Sequence, residues 1–481
     1  MSSIRGVTKI CLSLQETMWT KRRLAENTYY FVPKDMLEAS CEDSFQRIKS
    51  SCLPYVYVEI TGGVYTVIEA SVGLIRAIPI FFSFSRGVLE VYDKPHQFKE
   101  MNNVSISKLS LLEFLSFGYV TGNRTLLDDI YQLQAGEIIR VEKENGGVRT
   151  EYIYDALPIE HKSQKEQTDE LESISERIFS SLITDLNGKI PVIPLSGGYD
   201  SRFIVSMLKL GGIDKAICLS YGRPGNFESR ISKKVAEKLG FEWHYIEYST
   251  NKWKNVFQTE RFDEYVRFAH VFTSVSCFQE YISTLYFDSI NKPNEKSKYV
   301  FVPGHAADFV AGSHLNPTVL ATKNIEDVEN SILLKHYNFR MSPANSEIAS
   351  EVNRRVREDY KITTDLFKLF EIWNWRERQS KFIANANRVY DYFGYLWSLP
   401  FWFKEFVDFW GKIPLEFKYK KKLYDEFLEN RIFNQLGVDI DREERIANRE
   451  RERNKSDRVK STIKGRIIKF VKNNKSIVKM Y

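Results

Sequence analysis

One pattern constrains the fold of this chain more than any other. Between residues 190 and 302, short apolar runs alternate with segments of helical hydrophobic spacing. Ile190 to Leu195 predicts a strand, followed by a helix from about Asp200 to Leu210 that Gly211-Gly212 stops. Ala216 to Tyr221 predicts the next strand, followed by a helix from about Glu228 to Leu239 that Gly240 stops. Trp243 to Glu247 and Tyr299 to Val302 predict two further strands. Leu171, Ile174, Ile178 and Leu182 precede the series at helical spacing. Strands that alternate with helices need crossover connections, and crossovers place successive strands parallel in a doubly wound sheet. Pro191 and Pro194 conflict with that reading, because proline cannot donate to a ladder and a central strand disfavours it.

The remaining chain divides around this unit. The first 155 residues read as mainly β. Val56 to Ile60, then Gly62-Gly63, then Val64 to Ile68 predicts a hairpin, and Ile78 to Phe84 with Val88 to Tyr92 predicts another around Arg86-Gly87. A helical stretch lies near Leu109 to Phe117. Ala156 to Gln167 is polar, contains Pro158 and suits a linker. From Asp359 to Asn430 the chain is rich in aromatics and mostly helical. The expected organisation is a β-rich domain over 1–155, an α/β domain over 168–430 with a helical C-terminal part, and a basic helical tail over 431–481.

Composition excludes several classes. Of 481 residues, 43% are hydrophobic and 14% aromatic, which suits sizeable cores and not a disordered chain. The five cysteines, Cys11, Cys41, Cys52, Cys218 and Cys277, include no CxxC pair. That argues against a disulfide framework or a zinc site and fits a reducing cytoplasm. The segment Met1-Ser2-Ser3-Ile4-Arg5 lacks the apolar core of a signal peptide. The run from Val72 to Phe84 contains Arg76 and is too short to span a bilayer. A soluble cytoplasmic protein is the expectation. The net charge of +6 is local, since residues 441–481 carry 14 Lys+Arg against 6 Asp+Glu. Such a tail is either a solvated helix with a frayed end or a surface that meets an anionic membrane or nucleic acid.

Two motifs carry chemistry. Leu195-Ser196-Gly197-Gly198-Tyr199-Asp200-Ser201 lies where a strand ends and a helix begins. Its glycines let backbone approach a phosphate, and free amides at the helix start face the anion. Ser196 and Ser201 add hydroxyl donors. Asp200 repels a bare phosphate and makes sense only with Mg2+ between them. The second motif, Val302-Pro303-Gly304-His305-Ala306-Ala307-Asp308-Phe309, also follows a strand. Carboxylates from two strand ends, Asp200 and Asp308, are what holding Mg2+ against a triphosphate requires. The position suits an open α/β sheet, which binds ligands at its carboxyl edge.

Ser-Gly-Gly-x-Asp-Ser after a strand resembles the pyrophosphate loop of the ATP pyrophosphatases, which cleave ATP between its α and β phosphates and adenylate a substrate. The second motif resembles the Ser-Gly-Glu-Gly-Ala-Asp-Glu segment of asparagine synthetases, within that group. The resemblance extends to Tyr221-Gly222, Val235-Ala236 and Leu239-Gly240, to Phe117-Gly118-Tyr119-Val120 and Ala135-Gly136-Glu137, and to Asn387-Arg388-Val389-Tyr390 and Leu399-Pro400. It implies that Leu195, Ser196, Gly197, Gly198, Asp200, Ser201, Ser220 and Gly304 contact ATP, and that Asp200 and Asp308 hold Mg2+. Lys420-Lys421-Lys422-Leu423-Tyr424 resembles the segment with the family's catalytic lysine, and spacing to Leu423 places that lysine at Lys420.

The chain departs from the family at three places. A glutamine-dependent synthetase needs cysteine as its first processed residue, whereas Ser2 follows Met1 here, and serine is the poorer nucleophile. The N-terminal domain therefore resembles a degenerate Ntn-type glutaminase. The family's glutamate between glycines is His305, and its glutamate after the aspartate is Phe309. His305 is either a structural histidine or a base for an attacking amine. Both changes put L-aspartate as substrate in doubt.

The resemblance implies an AMP-forming amide ligase that uses ATP and Mg2+, a small carboxylate, and ammonia or an amine, with a separate glutaminase as one nitrogen source. Nucleic acid is not an expected partner. A tRNA-modifying enzyme on the same nucleotide-binding fold and a non-catalytic scaffold descended from a synthetase are the alternatives.

Overall fold

The structure is a computed structural model that describes residues 7–94, 104–142, 147–154, 156–337 and 343–440. The basic segment 441–481 and residues 1–6, which carry the tail and processing expectations, lie outside these residues.

The N-terminal part contains β1 (Lys9–Ser13), β2 (Trp19–Ala25), β3 (Thr28–Pro33), β4 (Tyr55–Thr61), β5 (Val64–Ser71), β6 (Phe81–Ser85), β7 (Val88–Tyr92), β8 (Ile130–Gln132), β9 (Glu137–Glu142) and β10 (Gly147–Tyr152). They form a sheet of order β1-β7-β6-β8 and another of order β10-β9-β5-β4-β3-β2. Strand side chains alternate between faces. Val56, Val58, Ile68, Ala70, Ile139 and Val141 of the larger sheet meet Phe82, Leu89 and Val91 of the smaller in one buried core. The two sheets therefore stack face to face. Tyr55 and Ile138 project from the other face of the larger sheet into the core of the C-terminal part. The two parts are thus packed together, and Trp375 Nε1 donates to Leu74 O across the boundary at 2.5 Å.

The polar connector is pinned rather than free, with the Glu160 amide donating to Lys412 O. Helix α1 (Gln164–Leu186) starts a few residues before position 168. Ser163 accepts from the Glu166 amide, and the Glu166 side chain accepts from the Ser163 amide, a capping box that sets the start. Then come β11 (Ile190–Pro194), α2 (Tyr199–Leu210), β12 (Ile217–Gly222), α3 (Phe227–Leu239), β13 (Glu242–Glu247), α4 (Tyr281–Ile290), β14 (Tyr299–Phe301) and β15 (Leu396–Trp397). They form a parallel sheet of order β13-β12-β11-β14-β15. The packed body continues past residue 430, since Ile432, Phe433 and Val438 are buried.

The proline conflict resolves in the pairing. β11 pairs with β12 only from Val192 onward and with β14 only as far as Val192. Val302 donates to Val192 O and Leu195 donates to Leu219 O. Even positions of β11 therefore face β14 and odd ones face β12. Pro191 faces β12 before that pairing starts, and Pro194 faces β14 after that pairing ends, so neither missing N–H leaves a ladder gap.

The strand order also sets where a ligand can bind. The chain steps outward from β11 to β12 to β13, then crosses back to β14 on the other side of β11. Right-handed crossovers put α2 and α3 on one face and α4 on the other. The switch in direction falls at the carboxyl ends of β11 and β14, the edge where open α/β sheets bind ligands. Among the described residues no helix is long and apolar enough to cross a membrane, and all five cysteines are free thiols.

Candidate active site at the strand ends

Both motifs meet at these strand ends. α2 starts at Tyr199 with Gly198 as its N-cap, and no side chain caps it. Ser163 and Asn226 do cap α1 and α3. The first amides of α2 are therefore left for an anion that the helix dipole favours. The turn before it is tightly packed. A Cβ on Gly197 would lie 3.0 Å from Glu228 Cα, and one on Gly304 would lie 2.9 Å from the Ser201 nitrogen. The two loops are thus in backbone contact at Gly304.

The serine hydroxyls bond within the turn. Ser201 Oγ accepts from the Ser196 amide, and Ser196 Oγ accepts from the Gly198 amide, each at 3.1 Å. Ser201 is 4% exposed. Its hydroxyl therefore shapes the turn rather than pointing outward, while Ser196 is exposed. Ser220 is also buried and accepts from Ser232 Oγ at 2.9 Å, so its hydroxyl ties β12 to α3. Leu195 is buried, with its amide bonded to Leu219 O. Arg202 was not marked by any sequence signal. Its buried guanidinium donates to Gly197 O at 2.9 Å and to Val438 O at 3.2 Å, clamping the turn to the C-terminal segment.

Asp200 and Asp308 are brought together across 108 residues. The Asp308 amide donates to Asp200 Oδ2 at 2.9 Å, and the Tyr424 hydroxyl donates to Asp200 Oδ1 at 3.0 Å. Burial, then the Asp308 charge, push the Asp200 carboxyl up to about 8, against the Asp308 amide, the Lys421 charge and the Tyr424 hydroxyl. The Asp308 charge acts on the Asp200 carboxyl, an interaction that a shared cation or proton relieves. Among the described residues no group of three or more His, Cys, Asp and Glu side chains could hold a metal. An ion at Asp200 and Asp308 would need further oxygens from elsewhere, such as phosphates or water, as Mg2+ ordinarily takes.

Lys420, the lysine that spacing singles out, and its neighbour Lys421 are placed differently. Lys420 is exposed, with its ammonium over the Tyr419 ring. Lys421 Nζ lies 5.4 Å from the Tyr199 ring and 5.5 Å from the Tyr424 ring, and it pairs with Asp425 at 2.8 Å. Lys421 is therefore the one whose charge acts on Asp200. Both lysines have left-handed backbone, φ 55° and 59°. Two successive non-glycine residues there are costly and must be held by their surroundings.

His305 follows Gly304, and its peptide bond to Ala306 is cis. Burial lowers its imidazole to about 4, partly offset by the Asn387 side chain and Asp308, so it is neutral at pH 7. Its Nε2 lies 3.6 Å from Oε1 of Glu280, a buried residue that no motif marked. Phe309 is a core residue, with its ring 4.7 Å from His314 and 6.2 Å from Trp402.

No family model matches the chain, and no curated protein does. Among solved structures it is similar to NMN synthetase from Francisella tularensis, at 12% identity and TM-score 0.23, over 46% of this chain and 97% of that one. It is likewise similar to NH3-dependent NAD synthetase from Campylobacter jejuni subsp. jejuni, at 12% identity and TM-score 0.23, over 46% of this chain and 96% of that one. At such identity and TM-score, the fold and chemistry of this chain rest on its own residues.

Proposed function

We propose that this chain is an ATP-dependent, AMP-forming carbon–nitrogen ligase of the kind its motifs resemble, the asparagine synthetases. The contact of Asp200 with Asp308, beside the uncapped start of α2, supports this reading most. The turn amides bind the β and γ phosphates. Asp200 and Asp308 hold Mg2+, which when bound screens the phosphate charge. A substrate carboxylate attacks the α phosphate, giving an acyl adenylate and pyrophosphate. Ammonia or an amine, free or supplied by a separate glutaminase, then displaces AMP. Lys421, on the Tyr199 and Tyr424 side of the aspartate pair, stabilises charge that develops on the phosphate or acyl oxygen.

The test is ATP–pyrophosphate exchange with a defined panel of amino acids and short to medium carboxylic acids. Asp200→Ala should lower exchange by about 10²–10³-fold. Unchanged exchange in that variant refutes the assignment. Calorimetry with ATP and Mg2+ addresses the scaffold alternative, which gains if no binding occurs at millimolar nucleotide.

A further inference from the structure

Several interior carboxylates of this protein have a fixed cation, whereas Glu38 and Asp93, like Glu280, have no Lys or Arg ion-pair partner among the described residues. Glu377 pairs with Lys381, Asp359 with Arg376, Asp391 with Arg388 and Glu371 with Lys418. Glu280 is as deeply placed, 5% exposed, yet its only ion-pair partner among the described residues is His305, which burial keeps neutral. An uncompensated buried carboxyl is costly and needs a reason.

Its position supplies one. Glu280 Oε2 is gripped by the Tyr390 hydroxyl, and Tyr390 is itself stacked on Phe301 of β14 at 4.4 Å. Oε1 is held only loosely. The Tyr221 hydroxyl is 3.5 Å away and His305 Nε2 is 3.6 Å away, both at or beyond the limit of a hydrogen bond. Tyr221 belongs to the carboxyl end of β12, and His305 follows β14. These two strands flank β11, whose own carboxyl end carries the phosphate turn. Oε1 therefore lies between the two strand ends that flank the proposed reaction centre. The backbone around it is braced, since the Tyr248 hydroxyl donates to Gln279 O and accepts from the Ser283 amide.

We propose that Glu280 is a further catalytic residue, whose Oε1 takes the proton from the attacking amine. This rests on the ligase reading above. In that step the nitrogen bonds to the acyl carbon, and the bond from that carbon to the AMP phosphate oxygen breaks. AMP leaves with the electron pair, and the surplus proton on nitrogen passes to Oε1. His305 and Tyr221 position the carboxylate from either side. Burial raises the Glu280 carboxyl to about 8, so it accepts a proton strongly once ionised, and the ionised form grows as pH rises through 8.

The experiment separates the two half-reactions in the full chain, using the panel acid that supports the fastest exchange in the wild type. Glu280→Gln should keep ATP–pyrophosphate exchange within about threefold, while ammonium-dependent AMP release falls by about 10²–10⁴-fold. Glu280→Asp should recover part of that loss, and hydroxylamine, a weaker base that yields its proton more readily, should lose less than ammonium does. Equal loss in both half-reactions, or undiminished AMP release, overturns the proposal. Should Glu280→Gln melt abnormally, Glu280→Asp and Tyr390→Phe carry the same comparison. If the wild type exchanges with no acid, the ligase reading itself falls and this proposal with it.

Discussion

Substituting Gly304 by alanine tests the convergence of the two loops directly. Gly304 does not have positive φ, so the effect of a methyl group is steric. The new Cβ would lie 2.9 Å from the Ser201 nitrogen and 3.2 Å from both the carbonyl carbon and Cβ of Asp200, whereas ordinary contacts begin at 3.4 Å. All three neighbours belong to the start of α2, which is anchored through Arg202 and cannot rotate away as a flexible side chain would. The loops must separate by about 0.5 Å, and such overpacking costs about 1–3 kcal/mol. A misplacement of 1 Å at a reacting centre costs about 10²-fold, so half of that predicts about a tenfold loss. Thermal melts read the first effect, and ATP–pyrophosphate exchange reads the second. Gly411→Ala is the control, because its Cβ would meet nothing closer than 3.6 Å and helical alanine is favoured. If Gly304→Ala matches wild type in both measurements, the loops do not pack as described or these strand ends are not the reaction centre.

Other outcomes are equally specific. Lys421→Met should lower exchange by about 10²-fold, whereas Lys420→Met should change it by less than about threefold; the reverse order would restore the spacing argument. Arg202→Met removes the guanidinium hydrogen bonds to Gly197 O and Val438 O and should lower stability by about 1–3 kcal/mol and weaken ATP binding in calorimetry. Burial raises the Glu38 carboxyl from 4.5 to about 7, so its folded form favours the proton and stability falls as pH rises from 4.5 through 7. Glu38→Gln should therefore gain about 1–3 kcal/mol over wild type at pH 8 in denaturant melts, with the gain vanishing near pH 4. A pH-independent difference would refute that account.

The local features of the chain were legible where local rules govern. Periodicity and glycine stops located the strands and helices that surround β11, because burial of one face imposes those spacings wherever the element sits. The glycine turn and the place of Asp308 were legible because both lie at strand-to-helix junctions, where residue type alone reveals backbone freedom and charge. The prolines of β11 looked anomalous because tolerance of a missing N–H depends on which neighbour each position faces, and pairing decides that.

The sequence by itself determined the parallel alternation, the glycine turn and the two acidic positions, all encoded within short windows of chain. Only the tertiary structure decided which hydroxyls turn inward, which of two adjacent lysines faces the aspartates, and that Glu280 lies beside Tyr221 and His305. Lys420 and Lys421 are chemically identical, and two left-handed residues in succession send one ammonium to solvent and the other toward Tyr199 and Tyr424. Glu280 meets Tyr390 across 110 residues, and Asp200 meets Tyr424 across 224. No spacing rule spans such separations, because the sheet order that closes them is set by packing of the whole chain.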